Sequence, residues 1–337
     1  MSEKVIVRLP NWLGDTVMAV PAIRSLRAAL PEAEVLLAGP WAALLENQGC
    51  ADVLVTYPRS WGGRLRTADT VRNFAGEIAL LLPNSFESAL AALYWRARRR
   101  LGFAGSGRAW LLTEAPPLPA PRLHQVDEYL LLVGRLGVTA VAREPRLDPP
   151  APGAPERQAA RDLLREAGAA TRSPGRPLVG IHLGATYGPA KVWPADRVAE
   201  FCRAVGDDGG VPVLLGPPEE GALVREIVAV APAVSLVGRD RPALLPALLA
   251  EIDVLVAGDT GVSHLAAAMG TRVVALFGPT DPALTAPRGR ALVLGHAVPC
   301  APCFYRTCPI DHPCMRGIEP REVRARMWAL LAEPVAR

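Results

Sequence analysis

The sequence is nearly without lysine: Lys4 and Lys191 are the only two in 337 residues, and arginine carries the rest of the positive charge. Aromatics are also scarce, at 5% against 50% hydrophobic residues, so Ala, Leu and Val must fill the core. The lack of aromatics among the basic residues, and of any recognisable nucleic-acid module, argues against a nucleic-acid partner. No apolar run reaches the ~20 residues that span a bilayer. Met1 to Arg8 run into a strand without the apolar stretch or small-residue cleavage site of a secretory signal. The expected location is the cytoplasm, peripheral to a membrane at most. The six cysteines are then expected to be reduced.

What is present is a repeated alternation of strand and helix. The chain is long enough for two ordinary domains. Strands are expected at Lys4–Leu9, Glu34–Ala38, Ala51–Val55, Glu77–Leu82 and Arg100–Phe103, with helices between several of them. Pro21 must kink or restart the first helix. A Pro-rich run, 144–155, reads as a linker. The pattern then restarts at Leu178–Leu183, Val211–Leu215, Val234–Val237 and Val254–Ala257. This predicts an α/β chain of two doubly wound halves: 1–155, 156–319, and a terminal helix in 320–337 that packs back on the first half.

The sequence is organised around Val254 to Gly270. A buried strand leads into Gly258-Asp-Thr-Gly261 and then a short apolar helix, a polar loop at the carboxyl end of a strand, where open α/β sheets bind ligands. Asp259 or Thr260 can cap that helix. A cap does not explain Ser263 and His264 in its first turn. Asp15 closes the first strand-to-helix turn, either as the helix N-cap or as a general base that takes a proton from a hydroxyl. Lys191 ends the loop Gly184-Ala-Thr-Tyr-Gly-Pro-Ala-Lys, which lacks the Gly-Lys-Ser/Thr of a P-loop but puts a mobile charge within reach of a diphosphate. Nine arginines between Arg59 and Arg108 point to an anionic partner. Cys300, Cys303, Cys308 and Cys314, with His312 among them, have the look of a small metal knuckle, structural if occupied and expected to lie away from the chemistry.

Taken together, these motifs resemble the lipopolysaccharide heptosyltransferases, the bacterial glycosyltransferases of family nine. The resemblance rests on Arg8-Leu-Pro-Asn-Trp-Leu-Gly-Asp15 and its continuation to Ile23, Leu81 to Phe86, Gly188 to Pro194, Gly258 to His264, Leu276 to Thr280 and the Cys-rich stretch. It implies a GT-B fold, two Rossmann-like domains facing across a cleft. It also implies inverting transfer of heptose from ADP-heptose to the heptose of an anionic lipid A–core acceptor at the inner membrane, with no cofactor required. By this resemblance Asp15 is the catalytic carboxylate. Lys191, Thr260 and Gly261 meet the donor phosphates, Asp259 and His264 sit beside them, and Thr186 and Glu219 are further donor contacts. Arg59, Arg64 and Arg66 lie where the acceptor is expected. Transfer to a different acceptor, as by a heptosyltransferase I, and a non-catalytic sugar-nucleotide-binding module remain as alternatives.

Overall fold

The computed structural model describes residues 3–58, 61–169 and 175–334. The chain forms two compact units, Met1–Leu147 and Asp148–Arg337. The division falls inside the Pro-rich run, eight residues before the expected boundary.

The first unit is a five-stranded parallel sheet of β1 (Lys4–Arg8), β2 (Glu34–Gly39), β3 (Val53–Thr56), β4 (Ile78–Leu81) and β5 (Arg99–Leu101), in the order β3-β2-β1-β4-β5. Its helices are α1 (Leu13–Met18), α2 (Val20–Ala29), α3 (Trp61–Asn73), α4 (Phe86–Tyr94) and α5 (Gln125–Gly134). Central β1 is covered on both faces, and Val5, Ile6 and Val7 are fully buried. That is why it reads as an apolar run rather than an alternation. The helix does restart at Pro21, which lies in the first turn of α2, where its missing N–H leaves no bond unmade. The sheet order reverses between β1 and β4. The loops that follow these two strands therefore flank the crevice of the sheet.

The second unit is a six-stranded parallel sheet of β6 (Leu178–His182), β7 (Val211–Leu215), β8 (Val234–Ser235), β9 (Val254–Gly258), β10 (Arg272–Phe277) and β11 (Ala291–Gly295), in the order β11-β10-β9-β6-β7-β8. Its helices are α6 (Pro155–Glu166), α7 (Ala195–Asp207), α8 (Gly221–Val228), α9 (Leu245–Glu251), α10 (Gly261–Ala268), α11 (Pro282–Thr285), α12 (Pro313–Arg316) and α13 (Pro320–Ala332). Here the reversal lies between β6 and β9, so the loops carrying Lys191 and Asp259 come to one place. Arg157 and Arg161 of α6 hold Glu251 of α9 at 2.6 and 3.0 Å.

Helix α13 belongs to the second unit: its apolar residues Val323, Met327 and Leu330 join the core formed by Val179, Ile181, Phe201, Val256 and Val274. It packs along α7 and against β10 and β11, and Arg324 binds Asp208 across the α7 end. The burial of three large side chains fixes it in the second unit.

Candidate active site

In the second unit, two glycines let the Lys191 loop lie where it does. A Cβ at Gly258 would stand 2.8 Å from the Lys191 carbonyl oxygen, so the end of β9 and the backbone of the loop touch there only because a hydrogen replaces a side chain. Gly188 has φ 153° and would press a Cβ to 2.4 Å from the carbonyl oxygen of Arg306. A turn of 3-10 helix, Pro189–Lys191, then aims the lysine inward.

The Lys191 ammonium donates to Asp259 Oδ2 at 2.5 Å and to the Asp259 carbonyl at 3.1 Å, and lies 4.6 Å from the centre of the Tyr187 ring. Two of its three N–H donors are thus accounted for. Asp259 Oδ2 also accepts from Thr280 Oγ1 at 2.8 Å, and His264 Nε2 stands 3.9 Å from Oδ1. Burial drives the carboxyl pKa of Asp259 up, but its neighbours His264 and Lys191 outweigh this and bring it down to about 2. Asp259 is therefore an anion that fixes the lysine, and neither it nor Thr260 caps α10 through a side chain. Thr260 occupies the N-cap position, with its buried hydroxyl unpartnered among the described residues. The first turn of α10 begins at Gly261, two residues after Asp259, and a helix start of this kind favours an anion.

Other sequence-predicted donor residues are less enclosed. Thr186 and Glu219 are exposed. Glu220, beside Glu219, is half-buried, and its pKa is raised by burial and by that neighbour. Sequence reasoning missed Thr280, although the motif Leu276 to Thr280 contained it. It also missed His182 at the end of β6, where burial lowers the pKa to about 4, so the ring is neutral at pH 7. His182, Gly184, Lys191 and Gly258 line one small cavity.

The Cys-rich segment is not remote from these groups. The Phe304 carbonyl accepts the Tyr187 hydroxyl at 2.5 Å, and the Arg306 carbonyl accepts the Ala190 N–H at 3.0 Å. The N–H groups of Cys303 and Phe304 bond the Pro279 carbonyl, next to Thr280. The segment braces both loops. Its cysteines are free thiols, from exposed Cys300 to buried Cys314. Among the described residues, no group of three or more His, Cys, Asp or Glu is placed to hold a metal. Backbone hydrogen bonds do the bracing.

In the first unit, Asp15 is not the N-cap of α1. Trp12 holds that position and Asp15 lies in the first turn, half-buried. The phenol of buried Tyr129 is raised well above its ordinary pKa, first by burial and then by the charge of Asp15. Upstream, Arg8 is fully buried, with its Nη2 donating to Asn11 Oδ1 at 2.8 Å, its guanidinium 4.8 Å from the centre of the Tyr57 ring, and Glu87 at 3.6 Å. Arg8 thereby braces the turn that leads to Asp15. Arg108 is equally buried and ties down the loop after β4 through the Pro83 carbonyl, Ser88 Oγ at 2.8 Å and Asn84 Oδ1 at 3.0 Å. These two arginines do not meet solvent. Arg64 is half-buried and close enough to Arg8 to oppose its charge, Arg66 is exposed, and Arg59 lies outside the described residues.

The chain is 30% identical to lipopolysaccharide heptosyltransferase 2 of Salmonella typhimurium, with 84% of this chain and 85% of that protein aligned. It is 34% identical to lipopolysaccharide heptosyltransferase 1 of Pseudomonas aeruginosa, but over only 49% of this chain and 51% of that one. The structure of E. coli ADP-heptose lps heptosyltransferase II superposes with a TM-score of 0.81 at 27% identity, covering 97% of this chain and 98% of that one. The two parallel-sheet units are those of the GT-B fold. The family model for glycosyltransferase family 9 (heptosyltransferase) matches residues 64–313, and the chain belongs to that family.

Proposed function

We propose that this glycosyltransferase moves L-glycero-D-manno-heptose from ADP-heptose to the heptose of a lipopolysaccharide inner core, with inversion. The observation that carries the reading is the Lys191–Asp259 pair set against the open start of α10, a fixed receptor for a departing diphosphate. Similarity over nearly the whole chain to a heptosyltransferase 2, and over half of it to a heptosyltransferase 1, favours heptose rather than a more proximal sugar as acceptor.

In this mechanism Asp15 accepts the proton of the acceptor hydroxyl as its oxygen attacks the anomeric carbon. The anomeric C–O bond to the diphosphate breaks, and ADP leaves with the bonding pair. Lys191 and the first N–H groups of α10 stabilise the charge that develops on the diphosphate. Asp259, held ionised, keeps the ammonium in place rather than taking part in proton transfer. With that charge supplied by the protein, a divalent ion is dispensable. Arg64 and Arg66 are candidate contacts for the anionic acceptor, which, being lipid-linked, calls for peripheral contact with the inner membrane.

The test is incubation with ADP-heptose and inner-core acceptors bearing zero, one or two heptoses, with product masses read out and a parallel reaction in excess chelator. A single added heptose on the one-heptose acceptor, undiminished by chelator, is expected. Addition only to the heptose-free acceptor would assign the first transfer instead. Binding of ADP-heptose without any product would leave a non-catalytic module.

A further inference from the structure

The arginine-rich stretch carries a second feature that the sequence pattern alone did not display. Along α4, Phe86, Leu90, Leu93 and Tyr94 recur at helical spacing, and each is more than two-fifths exposed. The other side of the helix, with Ser88, Ala89 and Ala92, already faces the core. Trp110, 74% exposed, extends the stripe, its ring centroid 6.2 Å from that of Phe86. A period of this kind ordinarily marks a buried face. Here it is left on the surface, and contiguous exposed apolar patches mark interaction sites.

Charge identifies the partner. Residues 61–110 hold eight arginines against Asp69, Glu77 and Glu87, an excess of five that exceeds the +4 of the whole chain, so all other residues together are slightly acidic. Several of these arginines are engaged: Arg108 is buried, Arg99 pairs with Glu114 at 2.9 Å, and Arg100 bonds the Leu111 and Ala97 carbonyls. Arg66, Arg96 and Arg98 remain exposed, and Arg72 lies over the Tyr94 ring at 5.0 Å. Of the acids, Asp69 accepts the Tyr94 hydroxyl and Glu87 faces Arg8. An apolar stripe rimmed by arginine fits an anionic bilayer surface. Two copies of the same face would set like charges against each other.

We propose that α4, with Trp110 and the flanking arginines, docks the enzyme on an anionic lipid bilayer. The aromatic and leucyl side chains enter the boundary between headgroups and acyl chains, and the arginines meet lipid phosphates. Among the described residues no helix is long and apolar enough to cross a membrane, so attachment through this face is interfacial. The proposal deepens the reading of a lipid-linked acceptor, but its charge and exposure argument stands without it.

The experiment is co-sedimentation of the full chain with vesicles of equal parts phosphatidylglycerol and phosphatidylcholine, or of phosphatidylcholine alone. The variants are the triple Leu90→Glu/Leu93→Glu/Trp110→Glu and the double Arg96→Gln/Arg98→Gln. Wild type is expected to pellet with the anionic vesicles and not with phosphatidylcholine. The triple variant should lose binding tenfold or more, and the double about fivefold for each arginine removed. Both variants should keep wild-type turnover on a deacylated, water-soluble acceptor and lose it on acceptor embedded in vesicles. Equal pelleting of variants and wild type, or no pelleting of wild type, would overturn the proposal. So would a wild-type dimer that the triple variant splits while vesicle binding is unchanged. Absence of heptosyl transfer by wild type on the soluble acceptor would instead sink the proposed reaction and leave the vesicle result to stand by itself.

Discussion

Two aspartates that look alike in the sequence have different surroundings, and each predicts its own phenotype. Asp15 is not the N-cap of α1, and Asp15→Asn removes the charge while keeping the size and shape of the side chain. Turnover is expected to fall ~10²–10⁴-fold with the melting temperature nearly unchanged. Near-normal turnover would remove it as the base. Asp259→Asn, by contrast, leaves Lys191 buried without its counter-ion, which should cost about 3–5 kcal/mol in denaturant unfolding and raise the donor KM. Asp259 has its pKa depressed from 3.8 to about 2, so its contribution is complete above about pH 4 and is lost as pH falls toward 2. His182, lowered from 6.5 to about 4, acts higher up the scale. The unfolded chain takes up a proton that the folded one refuses, so stability falls between pH 6.5 and 4. His182→Asn should flatten that part of a stability-versus-pH curve, and an unchanged slope would contradict the assignment. Asp259 was legible as a charge in the polar loop at a strand end, and Lys191 as one of only two lysines, closing a Gly-containing loop. Thr280 and His182 were not, because a threonine and a buried histidine are ordinary in a core. Only the three-dimensional meeting of loops gives them a partner or denies them one.

At the scale of elements, strand and helix order was readable because parallel strands are written as unbroken runs of Val, Ile and Leu between breakers. The ends drifted by one or two residues. Helix α3 was missed because its sequence, Trp61 to Asn73, has no clean apolar period. β11 escaped too, since its residues are only partly buried. The place of the Cys-rich segment was misread for a physical reason: the sequence displays its thiols, while the segment meets both loops through backbone groups that the sequence does not mark. Gly188 is where that bracing can be tested. A Cβ there collides with the Arg306 backbone at a φ that disfavours side chains, so Gly188→Ala should push the two segments apart. A lower melting temperature together with weaker ADP binding in calorimetry is expected. Loss of stability with unaltered ADP affinity would show that the bracing does not reach the Lys191 loop.

At the scale of the whole molecule, two units with separate cores and a Pro-rich join between them should not melt as one. Differential scanning calorimetry is expected to resolve two components, with ADP raising only the one that belongs to the second unit. A single transition shifted as a whole by ADP would contradict independent cores. The near-absence of lysine gives this molecule an unusual property at the bench. Lys4 keeps 38% of its side chain exposed beside Glu34, while Lys191 keeps 10%. An amine-acylating reagent therefore meets two lysines of opposite accessibility in the entire chain. Lys4 serves as an internal standard, and peptide-level mass spectrometry, which separates it from Lys191 and from the terminal amine, reads the slower acylation of Lys191; protection of Lys191 by ADP is expected if it meets the donor.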